Sequence, residues 1–197
     1  MKLGSMRFWV SASASLVLSC APSAKAQASA VKRSIPLRKS EWKLAGLLPG
    51  RTTVKRAQEI LGDVPGGDTT SLIWYSCEGL ALEVQTDRQG RIATVRLSEV
   101  APPDFRADCA PALPKAQFSQ TGLGLRIGDK ATRVLALYGK PDSRSPSTKD
   151  GQPLELLYYA FDWAGPDVPQ VMQVVCTAEK DGQPGRVVQI TLAASSL

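Results

Sequence analysis

The 197-residue chain contains no histidine. That absence excludes every histidine-based nucleophilic triad or dyad and removes the commonest protein ligand of zinc and copper. Cysteine is scarce, with Cys20, Cys77, Cys109 and Cys176 and no CxxC spacing, so neither a dithiol redox motif nor a zinc ribbon is written here. Glycine pairs such as Gly66-Gly67 and Gly122-Leu123-Gly124 are too sparse for a phosphate-binding loop and read as turns. No apolar run reaches the roughly 20 residues of a membrane-spanning helix, and Phe8–Ala21 falls short of it.

The excess of bases over acids is confined to one region. The chain has a formal charge of +6 and a pI near 9.3, which suggests a polyanion binder until the charge is located. Residues 1–26 hold Lys2, Arg7 and Lys25 with no acid. Residues 27–43 hold Lys32, Arg33, Arg38, Lys39 and Lys43 against Glu41. The remaining 16 bases and 17 acids of residues 44–197 leave a net −1. The basicity belongs to the N-terminal stretch, and the expectation for the rest is no nucleic acid.

A charged Met1–Arg7 followed by uncharged Phe8–Ala21 predicts an export signal over residues 1–26. Two processing outcomes stay open. Ala24-Lys25-Ala26 before Gln27 fits the small-x-small cleavage rule of a soluble exported protein. Leu16-Val17-Leu18-Ser19-Cys20 fits a permissive lipobox, with Cys20 lipidated. Both place the chain in a bacterial envelope, periplasmic or secreted in the first case and on the outer membrane in the second. Residues 27–43 read as a basic flexible tether, either a solvated linker or a run that anionic headgroups would attract by about 1 kcal/mol per base close to the surface.

The rest reads as one motif written twice. Leu47–Thr52 leads into Thr53–Leu61 and stops at Gly62; Leu125–Asp129 leads into Lys130–Tyr138 and stops at Gly139-Lys140-Pro141. Thr52 and Asp129 are candidate N-caps, and the two glycines are candidate C-terminal stops. Val54/Ala131, Ala57/Val134 and Leu61/Tyr138 repeat at i, i+3 and i+7, one helical face. Aromatic strand runs follow, Ser71–Ser76 and Glu155–Phe161, pairing Trp74-Tyr75 with Tyr158-Tyr159. Leu80–Thr86 and Val171–Thr177 come next, and Arg91–Leu97 and Arg186–Leu192 close each unit. Ala93, Val95 and Leu97 are matched with Val188, Ile190 and Leu192 on one strand face. Ser143–Pro153 and Lys180–Gly185 are read as longer connections of the second copy. The prediction is an α+β fold: two tandem helix-plus-antiparallel-sheet repeats, residues 44–99 and 121–197, joined by a proline-rich linker over 100–120. Each unit alone is near the lower limit for a core, so a single pseudo-symmetric body is expected. One helix layer leaves the other sheet face open.

Gly50-Arg51-Thr52, Val54, Ile60-Leu61-Gly62, Trp74-Tyr75 and Gly90-Arg91-Ile92 resemble the small envelope lipoprotein family that includes the outer-membrane assembly factor BamE (SmpA/OmlA). The fold this implies is shared with the β-lactamase inhibitor protein (BLIP), itself a tandem duplication. The duplicated fold, the aromatic strands and the lack of any catalytic set predict a non-catalytic envelope protein that binds another protein through its open sheet face, with no cofactor and no metal, as in outer-membrane assembly. The alternative the resemblance carries is an inhibitor of the β-lactamase-inhibitor type; further off stand an unrecognised hydrolase and a ligand-binding module. The assembly factor has one repeat on a lipid anchor, whereas this chain has two.

Trp74, Tyr75, Tyr158 and Tyr159 are the candidate partner-binding residues, with half of them expected on the helix side because strand side chains alternate. In an oxidising compartment one disulfide, Cys77–Cys109, would staple the linker and leave Cys176 as a buried thiol. Glu78, Glu83 and Asp87, or Asp162 and Asp167, are the carboxylates from which an acid/base pair would have to come.

Overall fold

The computed structural model describes residues 39–63, 66–68, 70–76, 79–100, 119–161 and 170–194, all within the compact unit Pro36–Leu197. The export signal, Cys20, Cys77, Cys109, Glu78, Asp162, Asp167 and nearly all of the linker lie outside them.

Among the described residues two short helices form, where the glycine stops and apolar spacing require them. Helix α1 is Val54–Leu61 and α2 is Ala131–Tyr138; Ala57 and Leu61, then Val134 and Tyr138, are buried. Both helices begin one residue later than the sequence suggests. The N-cap of α1 is Thr53, whose hydroxyl accepts from the Arg56 N–H at 3.3 Å. Thr52 instead turns inward and accepts from the Leu48 N–H at 2.9 Å. The N-cap of α2 is Lys130, with no side-chain cap bond, because the Asp129 carboxylate closes the preceding turn on the Arg126 N–H and pairs with Arg133. Gly62 and Gly139 end the helices with φ of 86° and 75°, a region glycine enters without a Cβ penalty.

Among the described residues eight strands form, six of them on apolar runs and two, β1 and β5, on polar or glycine segments at the edges: β1 Gly66–Gly67, β2 Ser71–Ser76, β3 Leu80–Thr86, β4 Ile92–Glu99, β5 Ser143–Lys149, β6 Gln152–Phe161, β7 Gln170–Thr177 and β8 Val187–Ala194. They make one antiparallel sheet in the order β1-β2-β3-β4-β8-β7-β6-β5. With two helices and this sheet the fold is α+β. The central pair β4–β8 joins the two halves, with Leu97 opposite Ile190, Arg96 opposite Thr191 and Val95 opposite Leu192.

The pleat sorts side chains into two faces. Trp74, Leu82, Leu97, Ile190, Val174 and Leu157 stand opposite one another from β2 across to β6, and all are buried. Both helices pack on that face. The next row, Ile73, Glu83, Arg96, Thr191, Gln173 and Tyr158, lies on the other face.

Two features depart from the sequence reading. The register slips between Gln85 and Thr86 and again between Val175 and Cys176, leaving Ala93 and Val188 as the extra residues of two bulges. Each bulge flips the phase, so Ile92 and Val187 are the buried residues in place of Ala93 and Val188. Ser143–Lys149, read as a connection, is instead the edge strand β5, exposed along its whole length. Pro146 at its middle suits an edge, where a missing N–H interrupts no ladder and discourages pairing with another chain.

Residues 41–43, assigned to a tether, belong to the fold. Glu41 is 2% exposed, and both of its carboxylate oxygens are engaged. Oε1 accepts from the Trp42, Lys43 and Gly122 N–H groups at 2.8, 3.2 and 3.0 Å. Oε2 accepts from the Leu123 N–H at 3.0 Å and from the Tyr138 hydroxyl at 2.7 Å. Leu44 and Leu47 then enter the core, and the Leu44–Thr121 bridge ties this arm to the chain ahead of α2.

Candidate functional site

The aromatic pairs separate by face. The Trp74 indole N–H donates to the Gly62 carbonyl at 3.3 Å, and the Tyr159 hydroxyl donates to the Gly139 carbonyl at 3.1 Å. Both side chains are buried, at 1% and 0% exposure, each fastening a strand to the end of its helix. They are therefore corrected from candidate partner contacts to core residues, since a side chain without solvent access touches no partner. Tyr159 also packs with Tyr138 and Phe161, ring centroids 5.9 and 6.2 Å apart. Tyr75 and Tyr158 fall on the opposite face and are half-buried.

That face is charged in pairs. Arg96 on β4 meets Glu83 on β3 at 2.9 Å. Glu83 is thereby engaged, and Asp87 sits in a turn where its carboxylate accepts from the Arg91 and Gln89 N–H groups and pairs with the Arg91 guanidinium. The Arg91 backbone N–H, ahead of the other contacts, holds the Asp87 carboxyl below the usual carboxylate range. The two acids face bases and not one another. Arg186 grips Glu99 through both guanidinium nitrogens.

One end of the face is hollow. Ser98, Glu99 and Val100 at the end of β4, Arg186, Val188 and Gln189 around the start of β8, Val175 on β7 and Leu154 on β6 form its floor and one wall. Ser147, Lys149, Asp150 and Gln152, at the tip of the β5–β6 hairpin, form the other wall. The cavity measures about 550 Å³. Strand β4 and the hairpin share it although β8 and β7 lie between them in the sheet, so the sheet coils toward its open side. Val188, displaced onto this side by the β8 bulge, is part of the lining.

This hollow was not readable from the sequence, because its walls come from distant segments, residues 98–100 and 147–152, and its hairpin read as a loop. A lone acid in the basic run was the only sign of Glu41. Cys176 is buried in β7, as expected, and burial foremost, with the Glu155 carboxylate adding to it, pushes its thiol up to about 12. Among the described residues no group of three His, Cys, Asp or Glu side chains is arranged to hold a metal ion.

No family model matches this chain, and no curated sequence matches it. Solved structures of similar shape include a DUF4309 family protein (YjgB) from Bacillus subtilis, 14% identical over 79% of this chain and 88% of that one, with a TM-score of 0.42. A cysteine-rich secretory protein (SAV1118) from Staphylococcus aureus is 11% identical over 80% of this chain and 48% of that one, with a TM-score of 0.43. A "putative beta-lactamase inhibitor protein" from Streptococcus mutans is 12% identical over 76% and 89%, with a TM-score of 0.27.

Proposed function

We propose that this chain is an exported, non-catalytic envelope protein that binds another protein through the open face of its sheet, with the hollow beneath the β5–β6 hairpin as the centre of contact. We read its body as a tandem duplication. Supporting this, the Thr53–Arg91 and Lys130–Arg186 bridges hold equivalent places, the bulges at Ala93 and Val188 fall at the same point, and Trp74 and Tyr159 make the same bond to a helix end. The two halves then serve as controls for each other. In the first half the outermost strand is the two-residue β1, whereas the second half carries the seven-residue β5. The first half closes its edge with the short β1–β2 hairpin, so the added length of the β5–β6 hairpin is particular to the second half, and it walls the hollow. That observation carries the reading. The hollow offers an apolar floor at Leu154, Val175 and Val188 within a polar rim, the composition of a protein-contact core.

The test places a photo-crosslinking residue at Tyr158 or Gln189 on the open face, and at Leu123 on the helix side as control, in cells making the full chain. The reading expects one adduct at the open-face positions, competed by purified protein and lost in a Val175→Asp chain that still folds. Adducts that form equally at Leu123, or none at either open-face position, would refute it. The adduct's identity separates an envelope assembly component from a secreted enzyme held in inhibition. The mass of the mature N-terminus tests export itself, a Gln27 start giving the soluble form and a diacylated Cys20 the lipoprotein.

A further inference from the structure

Among the described residues one large hydrophobic side chain is exposed: Trp42, at 50%. Its place is fixed from both sides. Its own N–H donates to Glu41 Oε1, the following Lys43 N–H does the same, and the Lys43 carbonyl accepts from Gly122 at 2.9 Å. Lys39 and Lys43 flank it, both exposed. In sequence the run from Lys32 to Lys43 holds five bases and one acid. That acid is Glu41, withdrawn from the surface and satisfied by five donors. The single negative charge that would offset the run is spent inside the protein, and the residue next to it is turned outward as an indole.

We infer that Trp42, with Lys39 and Lys43, is a membrane-surface contact for an anionic phospholipid bilayer. Tryptophan is the side chain suited to the headgroup level, having an apolar body and one polar N–H. Bases beside it are drawn to anionic lipid within a Debye length. The arm belongs to the helix side of the molecule, since Glu41 is bonded to Tyr138 of α2 and Leu44 and Leu47 enter the core there. The inference stands on the arm alone and does not depend on what the open face binds.

The test uses the chain from Gln27 onward, which keeps all of Pro36–Leu197 and drops the apolar N-terminal segment that would enter any bilayer. It is sedimented with sucrose-loaded vesicles of phosphatidylcholine, alone or mixed with phosphatidylglycerol. Binding is expected on the mixed vesicles, weakening as salt rises. Lys39→Gln with Lys43→Gln is expected to lower the partition about twenty-fivefold, roughly fivefold per base. Trp42→Ala is expected to lower it roughly tenfold, the worth of burying part of one indole. A blue shift of tryptophan emission on binding should vanish in Trp42→Phe, which retains Trp74 and Trp163. Unchanged thermal midpoints exclude misfolding as the cause of a loss. Equal binding to neutral vesicles, undiminished binding of Trp42→Ala, or no binding at all overturns the inference; so does a Trp42 photo-crosslink to a protein in envelopes from a chain that ignores vesicles. Tyr158→Ala should leave vesicle binding unchanged, which separates a failure here from one at the open face.

Discussion

The Tyr138 hydroxyl donates to Glu41 across 2.7 Å, joining residues 97 positions apart at the point where the N-terminal arm meets α2. Thr121 completes the set: its hydroxyl lies 2.7 Å from the same tyrosine oxygen and accepts from the Leu125 N–H. A buried carboxylate is stable only while hydrogen-bonded. Glu41 meets that condition by drawing on the backbone of a turn 81 residues away.

Removing one donor should therefore be felt. Tyr138→Phe is expected to cost about 1–3 kcal/mol in urea unfolding, because it leaves a buried acceptor short. The same substitution should change the alkaline response. Burial, with the Glu41 charge second, raises the Tyr138 hydroxyl far above the usual tyrosine value. A folded value above the unfolded one gives stability that is full below about pH 10 and falls as the pH climbs past it. Urea midpoints measured between about pH 9 and pH 11 should drop less steeply in Tyr138→Phe than in the natural chain.

Gly122→Ala tests the same clasp from the other partner. A Cβ there would lie 2.5 Å from Glu41 Oε1 and 3.1 Å from the Lys43 Cγ. Gly139→Ala meets no atom within 4 Å but has a φ of 75°. The second change should cost about 1 kcal/mol through backbone strain. The first should cost more and release the arm, read as faster proteolysis near Lys43 with the sheet intact.

The four aromatics predict opposite phenotypes. Trp74→Ala and Tyr159→Ala each empty a core site and should lose about 3–5 kcal/mol of stability. Tyr75→Ala and Tyr158→Ala should change stability far less, and Tyr158→Ala should weaken capture of the open-face partner. Thermal unfolding of the four variants beside the crosslinking assay makes the comparison. A Tyr158→Ala chain as unstable as Tyr159→Ala would contradict the assignment of faces.

Cys176 should be inert. With its thiol pushed up to about 12, only about one molecule in ten thousand is thiolate near pH 8. Alkylation of Cys176, followed by peptide mass spectrometry, should proceed in denaturant and stall in its absence. Rapid native labelling would place the side chain outside the core.

Glu99 and Arg186 form a bidentate pair at the rim of the hollow, with side chains 35% and 51% exposed. Solvent screening at that exposure limits its worth, and a double-mutant cycle should return under about 1 kcal/mol of coupling. Its larger effect belongs to binding: Arg186→Ala leaves an uncompensated carboxylate in the contact and should lower partner affinity more than stability.

The amino-acid sequence by itself determined what is local. The glycine stops, the buried faces of α1 and α2, and the bounds of β2 and β3 were readable because caps, 3.6-residue spacing and strand alternation act over a few residues. Alternation also required that Trp74 and Tyr75 point to opposite faces, and likewise Tyr158 and Tyr159. Which member of each pair is buried was not readable, because alternation fixes parity and not phase. Tertiary structure decided the phase by placing Trp74 and Tyr159 within reach of the Gly62 and Gly139 carbonyls. It also decided the bulges that exchange Ala93 for Ile92 and Val188 for Val187, which arise from pairing between strands. Ser143–Lys149 has nothing apolar to mark it, and became a strand because β6 supplied a ladder. Glu41 reads as a solvated acid in a basic tether until the turn at Gly122 and the hydroxyl of Tyr138, both far along the chain, arrive to bind it.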